Sequence, residues 1–290
     1  MARDEELGIA KPYDPVIIVF EKYCAWRLHP RAESAIGFFP TRTVLNSGAT
    51  HYVVWSAPLQ GRVPLPDGTF APVQKISFAS PLPHGGAFFV MSGPALWGND
   101  TLLSFAVFVH EMTHTQQQAT LGMRAEQLVA EGVLRPDDTG DVIQRRYQND
   151  RAFASAVAEE TKLLFAAAAA PTMSESIRLA GLAVQSIEKR RAAAFTGNAA
   201  RLAEVEDLFL TMEGSAQWAG YRFLRNPAGG NLKDKDALEV MRGKRRPWSQ
   251  EEGLALFLTL DCLNHGWRGE VFGTKPAYGL PLLKQALARR

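Results

Sequence analysis

Apolar residues change rhythm about a third of the way along the chain. Up to Gly98 they come in short runs, HYVVWSA at 51–57, QKISFAS at 74–80 and GGAFFVMSG at 85–93, separated by turns such as PLPDGT and PLPHGG. Short β-branched and aromatic runs bounded by Pro and Gly are strand signals. They predict a small twisted sheet, preceded by an early helix over PVIIVFEKYCAWRLH at 15–29. From GNDTLLSF onward the spacing turns helical, with Asn99 or Asp100 as N-cap and Gly122 closing the first long helix. RAFASAVAEETKLLFAAAAA at 151–170 predicts a second helix, because alanine favours helix and Pro171 cannot continue it. Further helices are expected over 174–195, 200–224 and 249–264. The pattern reads as α+β, with residues 1–122 forming an N-terminal lobe that ends in the first long helix and residues 123–290 a mainly helical lobe.

Composition narrows the function classes. The chain has 290 residues and 46% hydrophobic composition, enough for a sizeable core. Lys and Arg number 32 against 30 Asp and Glu, so the overall balance does not call for a polyanion, and no nucleic-acid partner is expected. The one basic cluster, MRGKRRPW at 241–248, reads as a solvated loop before the next helix. Two cysteines, Cys24 and Cys262, are too few for a zinc ribbon or a disulfide framework. PVIIVF at 15–20 is too short for a signal core or a membrane span. The sequence as written therefore predicts a cytoplasmic protein with no membrane partner; a leader removed from its start would place it in the periplasm or outside the cell.

One stretch carries chemistry, FAVFVHEMTHTQQQ at 105–118. At about 100° per residue, His114 falls about 40° from His110 and Glu111 about 100° from it, so all three share a side of the helix. Two nitrogen ligands one turn apart, with a carboxylate beside them that does not ligate, are what zinc-assisted hydrolysis needs. The apolar run from Phe105 to Val109 predicts a buried helix, and buried imidazoles need partners. Packed core histidines are the plain alternative. Gln117 and Gln118 point to the same rim, placed either to hold substrate, to orient a ligand histidine or to face solvent.

HEMTH within VFVHEMTHTQ resembles the active-site helix of the zincin metallopeptidases. Gln116 departs from that family's habit of an apolar residue there. The metzincin branch is excluded, since Gln117 and Thr120 stand where its glycine and third histidine belong. A catalytic zinc usually has three protein ligands, so one more is required. Glu213 is the first choice. Its small neighbours Gly214, Ser215, Ala216 and Ala219 would let its helix approach HEMTH closely, and MEGSAQWAGY resembles the E-G-x-A-x-aromatic third-ligand helix of several gluzincin families. Glu131 and Glu206 compete for that role. Glu206 or Asp207 would otherwise accept a hydrogen bond from a ligand imidazole, whereas Gln217 stands where thermolysin-like enzymes keep an aspartate.

The resemblance implies a zincin-like fold, one Zn2+ held by His110, His114 and Glu213, and a peptide or protein substrate. It implies Glu111 as general base. The oxyanion also needs a donor, for which Tyr221, two turns beyond Glu213, is preferred, with His265, Arg222 and Tyr147 as alternatives and simple packing as the plain reading of each. GGAFFVMSG would supply either an edge strand beside the active-site helix, to which an extended peptide adds, or an internal strand of the sheet. Two other readings stand beside the peptidase: a non-catalytic metal-binding or scaffold protein, and a secreted effector or toxin protease, since HEMTHTQQQ is also similar to the H-E-x-x-H-x-x-Q helix of some bacterial secretion-associated domains. Glu159 and Glu160, polar positions in an Ala-rich helix, are explained by packing and solvent.

Overall fold

The computed structural model describes residues 15–29, 37–47, 50–82, 86–98, 100–243, 247–275 and 277–289. The chain is α+β: a six-stranded mixed sheet followed by helices. Contacts gather it into two units, Met1–Ala119 with Gly220–Ala237, and Thr120–Ala219 with Leu238–Arg290.

In the first unit the early helix expected over 15–29 is replaced by two strands, β1 (Val16–Phe20) and β2 (Cys24–His29), paired antiparallel around a tight turn. The reason lies in VIIVF. Four consecutive β-branched residues are stiff at χ1 and fit a pleated surface better than a helical turn. Their alternation is then used on both faces: Val16, Ile18 and Phe20 enter one apolar cluster, Ile17 and Val19 another.

The remaining strands are β3 (Phe39–Ser47), β4 (Thr50–Pro58), β5 (Arg62–Pro64), β6 (Phe70–Pro72), β7 (Ser77–Pro81) and β8 (Ala87–Ser92). Sheet order is β3-β4-β2-β1-β8-β7, with β1 and β8 parallel and the other neighbours antiparallel; β5 and β6 pair as a separate ribbon. GGAFFVMSG is therefore not an edge. Its strand β8 is buried at all six positions and flanked by β1 and β7, so the edge on that side is β7. Gly85 lies outside the described residues.

The first long helix, α1 (Thr101–Gln117), packs on the sheet face that carries Ile17, Phe89 and Met91. Phe108 meets Phe89 edge-on at 5.1 Å between ring centroids, and both β7 and β8 lie against the helix. Asp100 caps it, accepting from Leu103 N at 2.9 Å; Asn99 lies outside the described residues. Gly122 does not close it. Gln118–Gly122 makes a π-helical turn and the chain runs on into α2 (Met123–Ala130), which ends where Gly132 takes a left-handed φ of 72°.

The second unit is helical: α3 (Val142–Tyr147), α4 (Arg151–Ala168), α5 (Met173–Ala194), α6 (Leu202–Arg225, whose last turns belong to the first unit), α7 (Asp234–Arg242), α8 (Trp248–Leu263), α9 (Trp267–Val271) and α10 (Gly279–Ala288). Asp150 and Thr172 cap α4 and α5 through their side chains. The smallness of Gly214 serves a contact other than the expected one with HEMTH. A Cβ on Gly214 would lie 2.5 Å from the backbone carbon of Gly253, so the two glycines bring the backbones of α6 and α8 together.

Four of these helices share a buried ionic cluster. Arg190 of α5 donates to Glu160 of α4 and Glu206 of α6, each at 2.8 Å. Arg191 donates to Glu206 at 2.6 Å and Asp207 at 2.8 Å. Glu252 of α8 completes the group, its Oε1 4.0 Å from Arg190. Glu160, expected to be explained by packing or solvent, is fully buried and anchors α4 to α5, whereas Glu159 is exposed beside Lys162.

Candidate metal centre

The second half of α1 is the most polar part of the interior of the first unit. His110, Glu111 and His114 are 6%, 4% and 8% exposed. A helix that lies against a sheet on one side turns its i, i+4 pair the same way, and here the pair converges: the two Nε2 atoms are 2.9 Å apart, with the rings nearly perpendicular. On its other side His114 meets Gln117, with Nδ1 2.9 Å from Oε1. The amide oxygen can only accept, so His114 carries its proton on Nδ1 and, when neutral, presents an Nε2 lone pair. Of the readings open for Gln117, orientation of a histidine is the one this contact supports. Gln118 sits in the π turn, half-buried.

A carboxylate oxygen of Glu213 joins the imidazoles, and the three ligand atoms lie within 4.8 Å of one another. Two imidazole nitrogens and one carboxylate oxygen are a donor set suited to zinc. Glu111 supplies a second sign of fit: its Oε2 is buried with no hydrogen-bond partner among the described residues. An orphaned carboxylate oxygen is costly in an interior and asks for a donor that those residues do not provide.

Two residues position Glu213. Gln250, in the first turn of α8, donates from Nε2 to Glu213 Oε2 at 3.1 Å. Gly140, in the loop before α3, has no side chain because Glu213 occupies that space; a Cβ there would lie 2.9 Å from both Cγ and Oε1 of Glu213. Sequence reasoning found neither residue. Gln250 lies inside the helix expected over 249–264, and nothing in the sequence reading singled out Gly140. Removing the Gln250 amide frees one carboxylate oxygen to rotate. Gln250→Leu is expected to weaken zinc binding about 10- to 100-fold, read by competition with a chromophoric chelator, with little change in melting temperature of the metal-free protein.

The competing carboxylates are engaged elsewhere. Glu131 is exposed and paired with Arg124 at 3.0 Å and Arg201 at 2.8 Å, which hold its carboxyl below the usual range. Glu206 accepts from Arg190 and Arg191 rather than from an imidazole, and Asp207 accepts from Arg191. Among the described residues the only group of three or more potential ligands is His110, His114 and Glu213.

Of the oxyanion candidates, Tyr221 is buried, and burial pushes its pKa up, so the phenol keeps its proton at neutral pH. Tyr147 stacks on Phe153 and donates to Ala194 O at 3.5 Å. His265 is exposed in a turn and Arg222 half-buried. Gln217 is buried, and its Oε1 has no partner among the described residues.

Comparison with known proteins gives no relative: no protein-family model, curated protein or solved structure matches the chain.

Proposed function

We propose that the chain is a zinc-dependent peptide hydrolase in which His110, His114 and Glu213 hold one metal ion and Glu111 is the general base. The observation that carries this reading is the unpartnered, buried Oε2 of Glu111 beside two imidazoles whose Nε2 atoms converge. A purely structural site has no need of that carboxylate. Zinc bound there supplies Lewis acidity and lowers the pKa of water from 15.7 to about 7. Glu111 takes the proton from the attacking water and passes it to the leaving amine. Gln117 keeps His114 in the Nδ1-H tautomer and so keeps its lone pair on Nε2. Tyr221, protonated at neutral pH, is the proposed donor to the developing oxyanion.

The substrate is an extended peptide. The β7 edge, which lies along α1, offers it main-chain hydrogen bonds of a kind that carry little side-chain preference. No helix among the described residues is long and apolar enough to cross a membrane, so the proposal invokes no membrane partner.

The test is metal content and turnover together. The purified protein is expected to hold one zinc per chain and to cleave members of a peptide library, with Glu213→Ala losing most of the zinc affinity. Stoichiometric zinc without turnover on any peptide would replace the hydrolase with a metal-binding scaffold. Full zinc occupancy in Glu213→Ala would refute this third ligand.

A further inference from the structure

The second unit holds a groove of about 360 Å³, within the range usual for small-molecule sites, whereas two other cavities of the chain, of about 10 and 20 Å³, have room for about one water each. Ala158, Thr161, Lys162 and Phe165 line the groove from α4 at i, i+3, i+4 and i+7, the spacing that puts side chains on one stripe of a helix. Arg242, at the end of α7, and Trp248 and Glu251, in the first turn of α8, complete it together with Val157.

Trp248 ends a run of rings. Tyr147 stacks on Phe153 at 4.3 Å and Phe153 on Trp248 at 5.8 Å between centroids, with interplanar angles of 14° and 19°. Trp248 is half-buried and meets no further ring among the described residues, so a flat guest in the groove can continue the stack. The guanidinium of Arg242 is fixed on two sides: Nε and Nη2 donate to Glu251 Oε1 at 2.9 and 2.5 Å, and the group lies 4.8 Å over the ring of Phe165. Its Nη1 donates to nothing among the described residues, and a donor already held in place loses little freedom when a ligand arrives. Thr161 adds a second donor. It is 8% exposed, yet its hydroxyl makes no hydrogen bond among the described residues, whereas Thr113, Thr211 and Thr259 each donate to the carbonyl one turn back, at 2.8, 2.6 and 2.9 Å. A buried hydroxyl that forgoes that bond is left for a partner in the groove it lines. Lys162 is exposed and pairs only with Glu159, at 3.4 Å, a solvated contact of little strength.

We propose that this groove binds a small aromatic carboxylate, whose ring stacks on Trp248 and whose carboxylate accepts hydrogen bonds from Arg242 Nη1 and Thr161 Oγ1, with Lys162 closing onto it from the rim. The lining residues hold two cations, Lys162 and Arg242, against one carboxylate, Glu251, an excess that suits a monoanion. A carboxylate can take a guanidinium edge, a hydroxyl and an ammonium together. A cationic guest meets two like charges, and a dianion brings its second charge against Glu251. None of the lining residues is among the metal ligands, so the site goes beyond the hydrolase reading and does not depend on it.

The probe is hydrocinnamate, followed by ligand-observed NMR on the full wild-type chain and by the indole N–H signal of Trp248, which is identified by its loss in Trp248→Phe. Hydrocinnamamide, of the same shape, is the uncharged control. The acid is expected to shift the Trp248 signal and to bind about tenfold more tightly than the amide, or more, because hydrogen bonds to a charged group are the stronger ones. Thr161→Val keeps the shape of the wall and should weaken the acid about tenfold. Lys162→Gln, at an exposed position, should weaken it by about two- to fivefold and reduce its sensitivity to salt. Arg242→Gln should remove the preference for acid over amide. Equal binding of acid and amide, acid binding that leaves the Trp248 signal unmoved, or no binding of the acid at millimolar concentration would each overturn the proposal. All three readouts use the wild-type chain, so a variant that fails to fold does not leave the question open.

Discussion

The Glu111→Gln protein is expected to bind one zinc as tightly as the wild type and to hydrolyse peptides about 10²- to 10⁴-fold more slowly, the range usual for losing a general acid-base group. The split between metal and turnover follows from the placement of the group. Glu111 is about 100° round the helix from His110, and it is not one of the three groups whose ligand atoms cluster within 4.8 Å. An amide there keeps the volume but cannot take a proton. Metal titration and steady-state kinetics on the same preparation check both halves. Loss of zinc in this variant would make Glu111 a ligand, and unchanged kcat/KM would remove it from the chemistry. His114→Ala gives the contrast: it removes a ligand, so metal and activity should fall together.

The same helix shows what a sequence reveals by itself. The His-Glu-x-x-His spacing is local, and helix geometry converts it into a shared side without reference to the rest of the chain. The long helices of the second unit were legible for the same reason. VIIVF was not. Four β-branched residues fit a buried strand or one turn of a buried helix equally well by pattern, and the choice is made by pairing with β8, about seventy residues on. β8 itself was legible as a strand, but edge and internal placements stayed open, because sheet order is set by partners that the strand's own residues do not specify. Gly122 misled as a helix stop because a glycine closes a helix only when its φ turns positive, and that happens at Gly132 instead.

Glu213 was expected as the third ligand partly through its small neighbours, yet Gly214 is small for the sake of Gly253 on α8. That crossing has its own link to the site. It brings the first turns of α8 to α6, and with them Gln250 to the Glu213 carboxylate. A residue whose whole role is one hydrogen bond to a side chain 37 positions away leaves no periodic trace in the sequence. The same holds for the ionic cluster. Glu160 in an Ala-rich helix reads as a solvated carboxylate until α5 places Arg190 against it.

Arg190→Met is expected to cost the protein about 3 to 5 kcal/mol at pH 7 to 8, the largest stability effect we anticipate from one side chain. Methionine retains much of the arginine's length and apolar stem, so packing alone would predict a small loss. The cost comes from the carboxylates left behind. Glu160 and Glu206 each lose a 2.8 Å charge-assisted bond, and neither gains access to water. In the wild type burial would pull the Arg190 pKa down, but Glu206, Glu252 and Glu160 outweigh it and hold the guanidinium charged at every accessible pH. Glu160 is itself already pushed up by burial despite Arg190.

The direction of the pH dependence follows from those raised acids. A carboxyl whose folded pKa exceeds its unfolded value binds its proton more tightly in the native state; the stability it contributes is full below the unfolded value, near 4.5, and is lost as pH rises through the folded one. For Glu252 that window runs from about 4.5 to about 8. Wild-type stability should thus decline across it, and Glu252→Gln should flatten the decline. In Arg190→Met, Glu160, already raised by burial, loses the guanidinium that opposes that rise, so the deficit relative to wild type should be greatest at pH 8 and shrink toward pH 5, as protons replace the missing charge. Urea denaturation of both proteins at pH 5, 6.5 and 8 measures this. A deficit that is constant across the range would mean that packing, not unpaired charge, is what Arg190 supplies to the join between α4, α5 and α6.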